Sequence, residues 1–497
     1  MKNTLLIQKE FIKLALKWDE LSFKQQQKYL KLHPKSRKKL TAIKEVENVK
    51  KSIDVLSFIV KHSPFKNKAF ICGGYVRDKI LGKPSKDIDI TVAAPNGGIE
   101  LANYISQKLG IREPVIFPTF GTAKIQLPTG IEAEFVQTRN EEYVRGNRKP
   151  TTSFGTLKED VERRDFTINT LLEDLTTKEI VDLTGQGIDD LKKGIIRTPL
   201  EPNITFQDDP LRMLRAVRFA TKYNFEFADD IIPALKRNAD ELQHISKERI
   251  QDELNKILMT DKPSRAFSIM LKTGLLKQFM PELVELKDLK QGKYHYTDAW
   301  GHTMAALDSS KKDLIIRLSA LMHDIGKPKT LSFGEDGEPH FYQHERVSGE
   351  IAVDILKRLK YSNDIVDKVS KVIESHMRVR NSKQWSKAAI RRFIRDMGAN
   401  LSEVLDLIEA DRKSHHPKHN DLDSLNLLRE RINQIQMEKP VENIVSPLTG
   451  KEIMEILNLP QGPSIGKAKD YIQDLMLENP DMTKEQAIDS LQKFKLI

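Results

Sequence analysis

The fold class predicted for this chain is α+β, with a small mixed sheet and its helices near the N-terminus and helices almost throughout the remainder. Strand-length apolar runs predict the sheet: AFIC and DIDITV between Lys68 and Val92, then AKIQL and IEAEFV. After about Asp190 the period lengthens. PLRMLRAVRFATKY, ERIQDELNKILM and AFSIMLKTGLLKQFM repeat apolar residues at i, i+3 and i+4, the spacing of one helix face. A third observation sets the scale: 497 residues, at roughly 150 per domain, predict about three modules.

Composition narrows the class further. With 39% hydrophobic and 31% charged residues the chain can bury a core and remain soluble, which excludes disordered and fibrous designs. No stretch approaches the roughly 20 apolar residues of a membrane helix. Charges also interrupt the opening MKNTLLIQKEFIKLALKW, so neither export nor a membrane partner is expected. Cys72 is the single cysteine, which rules out an internal disulfide and an all-thiolate metal site and makes the cytoplasm the expected compartment. Of the net charge of +10, residues 1–50 supply +8, from 13 Lys/Arg against 5 Asp/Glu. Their segment KLHPKSRKKL (31–40) suits phosphate contacts with a nucleic acid or a merely solvated extension, and charge alone does not choose. The polar stretches 286–298 and 413–423 read as linkers.

The first chemical constellation is FICGGYVRDKILGKPSKDIDITV. Gly73 and Gly74 end a strand and can take backbone angles closed to other residues, which lets the chain approach a phosphate before a short helix beginning near Tyr75. Asp87 and Asp89 then alternate with Ile88 and Ile90. The two-residue period of a strand puts both carboxylates on one face and both isoleucines in the core. Paired carboxylates repel unless a cation lies between them, and Mg²⁺ prefers such hard oxygen ligands. A solvent-facing acidic strand would show the same DxD, and the neighbouring glycine pair argues against it. Glu134, in IEAEFVQTR, is the better candidate for a third carboxylate, with Glu132 as the spare.

These residues resemble the signature of the nucleotidyltransferases that add CCA to tRNA 3′ ends, and of their bacterial poly(A) polymerase relatives. Three further motifs follow in the family's order: RRDFTIN (163–169), DDPLRMLRAVRFA (208–220) and SKERIQDELNKIL (246–258). The family usually has Glu where Asp208 stands and Ala where Thr170 stands. The resemblance implies Mg²⁺ on Asp87 and Asp89, with Glu134 beside them, and substrate contacts from Gly73, Gly74 and Arg77. It implies that Arg163, Arg164, Asp165 and Asn169 face the ribose and triphosphate, Asp165 accepting from a 2′ hydroxyl. It assigns base selection to Asp209 and Arg212, three apart and so on one face if the segment is helical, with Arg215 and Arg218 on the same motif. A carboxylate accepts from the exocyclic amine that cytosine and adenine share, and a guanidinium donates to the ring nitrogen beside it.

A second constellation is built on histidine. Nine of the 12 histidines fall between His295 and His419. His302, the pair His323 and Asp324, His344, His376 and Asp411 together offer the imidazoles and carboxylates that bind a transition metal. This set resembles the HD phosphohydrolase superfamily, which implies Ni²⁺, Co²⁺ or Mn²⁺ there, with His344 and His376 supporting a second metal or the substrate phosphate. Residues 446–476 resemble the tRNA-binding C-terminal region of the CCA enzymes, and residues 141–155 fill the interval in which those enzymes have a flexible loop. The domains so implied are a basic extension (1–50), a catalytic head (51–190), a neck and body (191–290), an HD domain (291–415) and a helical tail (416–497). The activity implied is template-independent CCA addition to tRNA from CTP and ATP, with phosphate-ester hydrolysis by the HD domain. The alternatives are a poly(A) polymerase, a CC-adding or A-adding enzyme, and a tRNA-binding regulator whose polymerase head is idle.

Overall fold

The computed structural model describes residues 34–85, 87–118, 121–142, 151–292, 297–415 and 420–494. They form two compact units, Met1–Asn238 and Ala239–Ile497. Of the basic segment 31–40, residues 34–40 open a long helix and 31–33 lie outside the described residues, as do 143–150 of the loop interval and His295, His416 and His419.

In the first unit, helix α1 (Pro34–Lys61) precedes β1 (Ala69–Cys72), α2 (Gly74–Ile80), β2 (Ile88–Val92), α3 (Gly97–Leu109), β3 (Val115–Phe117), β4 (Thr122–Gln126) and β5 (Glu132–Gln137). A hairpin of β6 (Arg139–Glu142) and β7 (Thr151–Phe154), helix α4 (Leu157–Glu162), β8 (Leu172–Asp174) and β9 (Ile180–Val181) follow. The sheet order is β3-β4-β5-β2-β1-β8-β9, antiparallel throughout except where β2 lies parallel to β5. The mixed sheet read from the four apolar runs is therefore present. Its core collects Ile71, Val76, Ile88, Ile90, Leu101, Ile105 and Phe135. Helix α3 lies against strand backbone, since a Cβ on Gly98 would stand 2.6 Å from the Gly121 carbonyl oxygen and 2.8 Å from that of Phe135. Helices α5 (Pro202–Asp208) and α6 (Leu211–Tyr223) come later in the unit, and α6 buries most of its residues.

The second unit is helical apart from one hairpin. It runs through α7 (Lys247–Leu258), α8 (Ala299–Ser309), α9 (Leu314–Met322), α10 (Lys327–Thr330), the hairpin β10 (Leu331–Phe333) and β11 (Pro339–Phe341), α11 (His344–Arg358), α12 (Asn363–Ser375) and α13 (Leu401–Ser414). The last helices share a core with these, because Ile453, Ile465, Ile472 and Leu477 pack with Ala320, Val372, Leu407 and Leu428. The second linker expected from sequence starts too early: α13 continues through Lys413 and Ser414, a helix turn buried at Ser414. No helix among the described residues is long and apolar enough to cross a membrane.

Because backbone oxygens cannot withdraw from an added methyl, Gly98→Ala should cost about 1–3 kcal/mol. Gly466, inside the helix Pro463–Glu478 with nothing within 4 Å of an added Cβ, should instead gain up to ~1 kcal/mol on change to Ala. Thermal unfolding of the two variants checks both signs.

Candidate functional site

The head site starts from strand alternation. Asp87 is exposed just before β2, Ile88 is buried, Asp89 is half-buried and Ile90 is buried, so both carboxylates take the side away from the core. The parallel register sets Glu134 opposite Asp89 and Ala133 opposite Ile88. Glu132 is one pleat further off, paired with Gln126 of β4. Lys124 Nζ reaches Glu132 Oε1 at 3.0 Å and Glu134 Oε2 at 3.2 Å. Burial, then the charges of Glu134 and Asp87, push the Asp89 carboxyl up to about 6, against the opposing pull of Arg164 and Lys124. This is an all-oxygen donor set whose negative charge Lys124 and Arg164 balance only in part, and a divalent cation fits such donors.

The glycine pair leaves space beside two guanidiniums. Gly73 has φ 68°, a left-handed angle that suits glycine, and its missing Cβ would lie 3.9 Å from Arg164 Nη1. A Cβ on Gly74 would lie 3.5 Å from Arg77 Nη2. Arg77 Nη1 donates to Asn169 Oδ1 at 2.5 Å, and Asn169 Nδ2 donates to Asp165 Oδ1 at 2.9 Å. Arg215 donates twice to Asp165 Oδ2, from Nε at 2.9 Å and Nη2 at 2.5 Å, and the Phe166 N–H donates to Oδ1 at 2.8 Å. Both Asp165 oxygens thus take two protein donors each, the full acceptor capacity of a carboxylate. Asp165 thereby orients Asn169 and Arg215. Arg163 and Arg164 share the buried carboxylate of Asp160, Nη2 of each donating at 2.6 and 2.8 Å, and Arg163 Nη1 reaches Glu141 at 3.1 Å. Burial alone would raise Asp160, but the two guanidiniums outweigh it and hold the carboxyl below its usual range.

Asp209 and Arg212 do not share a helix face. Asp209 is extended, between α5 and α6, because Pro210 lacks an N–H and its fixed φ starts the next helix. The two residues still meet at one helix start, where the Asp209 carbonyl accepts from the Arg212 N–H at 2.9 Å and Asp209 Oδ1 accepts from the Leu211 N–H at 3.2 Å. Arg212 is buried and donates to the carbonyls of Arg163 at 2.6 Å and Thr205 at 3.3 Å, which fixes its plane. Arg218 lies over the Phe219 ring, 4.2 Å from its centroid.

The second unit brings all six of its expected residues together. His302 comes from α8, His323 and Asp324 from the end of α9, His344 from the first turn of α11, His376 from the end of α12 and Asp411 from α13. Three imidazoles are tethered in the same way. Nδ1 of His323, His344 and His376 lies 2.9, 2.8 and 2.6 Å from the carbonyl three residues earlier, of Ala320, Phe341 and Ile373. A carbonyl only accepts, so Nδ1 carries a proton and Nε2 is the nitrogen that would ligate a metal, giving up any proton it holds. His302 Nδ1 donates to Ser414 Oγ at 2.8 Å, while that hydroxyl donates to the Asp411 carbonyl at 2.5 Å. His302 Nε2 then lies 3.0 Å from Asp411 Oδ1, 3.3 Å from Asp324 Oδ2 and 3.2 Å from His323 Nε2. His344 Nε2 is 3.3 Å from Asp324 Oδ1. Facing lone pairs at such distances repel unless a cation or proton lies between them, and the mixed N/O set suits a first-row transition metal. Burial opposes ionisation of Asp324 and Asp411, yet the charges of His323 and Lys327 at Asp324, and hydrogen bonding of His302 and His323 to Asp411, hold both carboxyls well below their usual range. Burial, reinforced by His323 and His344, pushes His376 down to about 3.

Sequence reading missed two residues here. Lys327 is buried with Nζ 2.7 Å from Asp324 Oδ2, and its spacing of three past Asp324 was the available signal. His415, four past Asp411, joins His302 and Asp411 in a third group whose ligand atoms lie within 4.8 Å of one another. The groups His302–His323–Asp324 and Asp324–His344–His376 are the other two, so His302 and Asp324 are shared. Apart from His323, these residues line a cavity of about 950 Å³, to which Arg380, Arg412 and the hairpin also contribute.

Comparison with known proteins now bears on both sites. The family described as Poly A polymerase head domain matches residues 69–197, the probable RNA and SrmB-binding site of polymerase A matches 224–286, and the HD domain matches 298–455. An A-adding tRNA nucleotidyltransferase of Deinococcus radiodurans is 31% identical over 420 residues, 81% of this chain and 90% of the relative. The chain belongs to the tRNA nucleotidyltransferase family. Within this family, a CC-adding tRNA nucleotidyltransferase of Thermus thermophilus is 29% identical over 84% of this chain and 92% of its own. The fold matches that of a Bacillus stearothermophilus CCA-adding enzyme crystallised with CTP, with a TM-score of 0.66 and 22% identity over 90% of this chain and 97% of that one. The chain is thus a nucleotidyltransferase with an HD domain, and both parts imply use of divalent metal.

A carboxyl raised on folding favours its neutral form, so ionised Asp89 costs stability. That cost is absent below about pH 4 and complete above about pH 6. In metal-free protein at pH 7.5, Asp89→Asn should therefore raise the Tm, by an increment worth about 1–3 kcal/mol that vanishes as the pH is lowered to 4. Added Mg²⁺ should stabilise the native protein and not the variant; melting curves across pH, with and without Mg²⁺, test both statements.

Proposed function

We propose that this protein adds C, C and A to tRNA 3′ ends from CTP and ATP without a nucleic-acid template, and that its HD domain hydrolyses phosphate esters such as 2′,3′-cyclic phosphates or 2′-phosphates. The observation that carries the first activity is the acidic edge formed by Asp87, Asp89 and Glu134 on paired strands. The tRNA 3′ hydroxyl would attack the α-phosphate of the bound nucleotide, forming one P–O bond as the bond to pyrophosphate breaks. Mg²⁺ held by Asp87 and Asp89 would supply charge stabilisation at the attacking and leaving oxygens. Gly73 and Gly74 leave room for the triphosphate beside Arg77 and Arg164. Asp165 holds Asn169 and Arg215 toward the nucleotide, and Arg163 and Arg164 are steadied by Asp160. Asp209 and Arg212 would read the amine and ring-nitrogen edge common to cytosine and adenine, with Arg212 held rigid by two carbonyls.

In the HD domain, His302, His323, Asp324 and Asp411 would hold Ni²⁺, Co²⁺ or Mn²⁺, with His344 and His376 supporting a second ion or the phosphate. Such an ion supplies a hydroxide near neutral pH. The helical tail would grip tRNA by shape and backbone contacts.

Offered tRNA lacking its 3′ end, with CTP and ATP separately and together, the protein should add two C and one A and then stop. Long A tails, A alone, C alone or no addition would select a poly(A) polymerase, a partial enzyme or a regulator instead. Asp89→Ala should lower the addition rate by about 1,000-fold, as expected when transition-state charge loses several kcal/mol of stabilisation. With Ni²⁺, Co²⁺ or Mn²⁺ the native protein should hydrolyse 2′,3′-cAMP. Release no greater than that of a His323→Ala, Asp324→Ala variant removes the hydrolase assignment.

A further inference from the structure

The hairpin β10–β11 is the one extended insertion among the described residues of the second unit, and it leaves aromatic surface in water: Phe333 is 69% exposed and Tyr342 71%. Tyr342 also lines the cavity that holds the metal-ligand set. We propose that His340 and Tyr342 form a stacking platform for a nucleobase, so that the HD cavity takes a nucleotide's phosphate ester in preference to a small one. This rests on the phosphohydrolase reading of the same cavity and adds what sets its substrate preference.

The two rings are already arranged as a surface. Their centroids are 5.3 Å apart and their planes 18° from parallel. His340 lies in β11 and Tyr342 in the turn just past its end, so the strand end and the turn together set the two rings against each other. The turn closes on His340: a Cβ on Gly334 would stand 2.7 Å from His340 Nε2, so glycine lets the loop pack against that ring. Phe341, between the pair, is tied to the metal site. Its carbonyl accepts from His344 Nδ1 at 2.8 Å and its ring centroid is 5.5 Å from Lys327 Nζ. The platform and a metal ligand are therefore fixed by one short link, Tyr342 being two residues before His344.

Size and charge agree with a nucleotide. A volume of about 950 Å³ matches pockets for ligands far larger than phosphate, which run roughly 300–1,000 Å³. Lys327, Arg380 and Arg412 line the cavity with the metal-ligand set and suit phosphate oxygens, whereas the hairpin contributes Asp336 and Glu338, which repel phosphate and accept from base amines. An aromatic face left open beside such a gradient suits a flat ring, and every base has one.

The test is isothermal titration of the full-length, Mn²⁺-loaded protein with 2′-AMP in its non-hydrolysable 2′-phosphonate form and with inorganic phosphate, on native protein, Tyr342→Ala and Tyr342→Trp. Native protein should bind 2′-AMP at least about ten-fold more tightly than phosphate, as one stacked base contributes about 5- to 150-fold. Tyr342→Ala should lose about ten-fold or more of the 2′-AMP affinity with phosphate binding unchanged, and Tyr342→Trp should retain both. The head is common to all three proteins and cancels from the comparison. Equal 2′-AMP affinity in native and Tyr342→Ala, or an equal loss for both ligands, overturns the platform while leaving the phosphohydrolase reading intact. Failure of native protein to bind phosphate overturns that reading and the platform with it.

Discussion

Parallel pairing of β2 with β5 holds Asp89 beside Glu134, and the alternation of Ile88 and Ile90 keeps Asp87 on the same side. Like charges at that spacing raise the free energy of the folded chain, as the elevated Asp89 carboxyl records. The sheet sustains the strain because the isoleucines and Phe135 on its other face are fully buried. Core packing thus fixes a cluster of charge that would otherwise disperse, and Lys124, paired with Glu132 and Glu134, balances only part of it. The surrounding arginines are paired elsewhere, Arg163 and Arg164 with Asp160 and Arg215 with Asp165, and Arg164 offsets only part of the rise at Asp89.

The HD domain answers a related electrostatic problem differently. Its carboxylates alternate with imidazoles, and helix ends supply the carbonyls that settle the His323 and His376 protons on Nδ1. Ligand direction there is set by main chain, so it is as rigid as the helices themselves. The head exposes oxygen ligands at a strand edge where triphosphate can approach. The HD site instead sinks nitrogen and oxygen ligands into a lined cavity, and the two donor sets suit different metals.

Much of both sites was legible in the chain because the signals are local. DxD on a strand has only one pleat to occupy, so the shared face of Asp87 and Asp89 followed from period two. Glu134 was preferred to Glu132 by sequence alone, and the register agrees with the preference by placing it opposite Asp89. The helical reading of Asp209 and Arg212 failed at Pro210, where the chain starts a new helix and leaves Asp209 extended. The four donors on Asp165 include Arg215, fifty residues away, which no local pattern reveals. His415 was absorbed into a polar stretch read as linker; only the continuation of α13 to Ser414 carries it to the cavity.

The sequence by itself determined the periodicities, the order of the motifs and the types of donor atom, since these depend on neighbours within a turn or a pleat. Tertiary structure decided which donors are spoken for, which histidine nitrogens point inward, and that a hairpin's aromatic rings line the same cavity as the metal-ligand set. Those outcomes depend on contacts between residues tens of positions apart, and free energies of packing and charge pairing at that separation are summed only once the chain has folded.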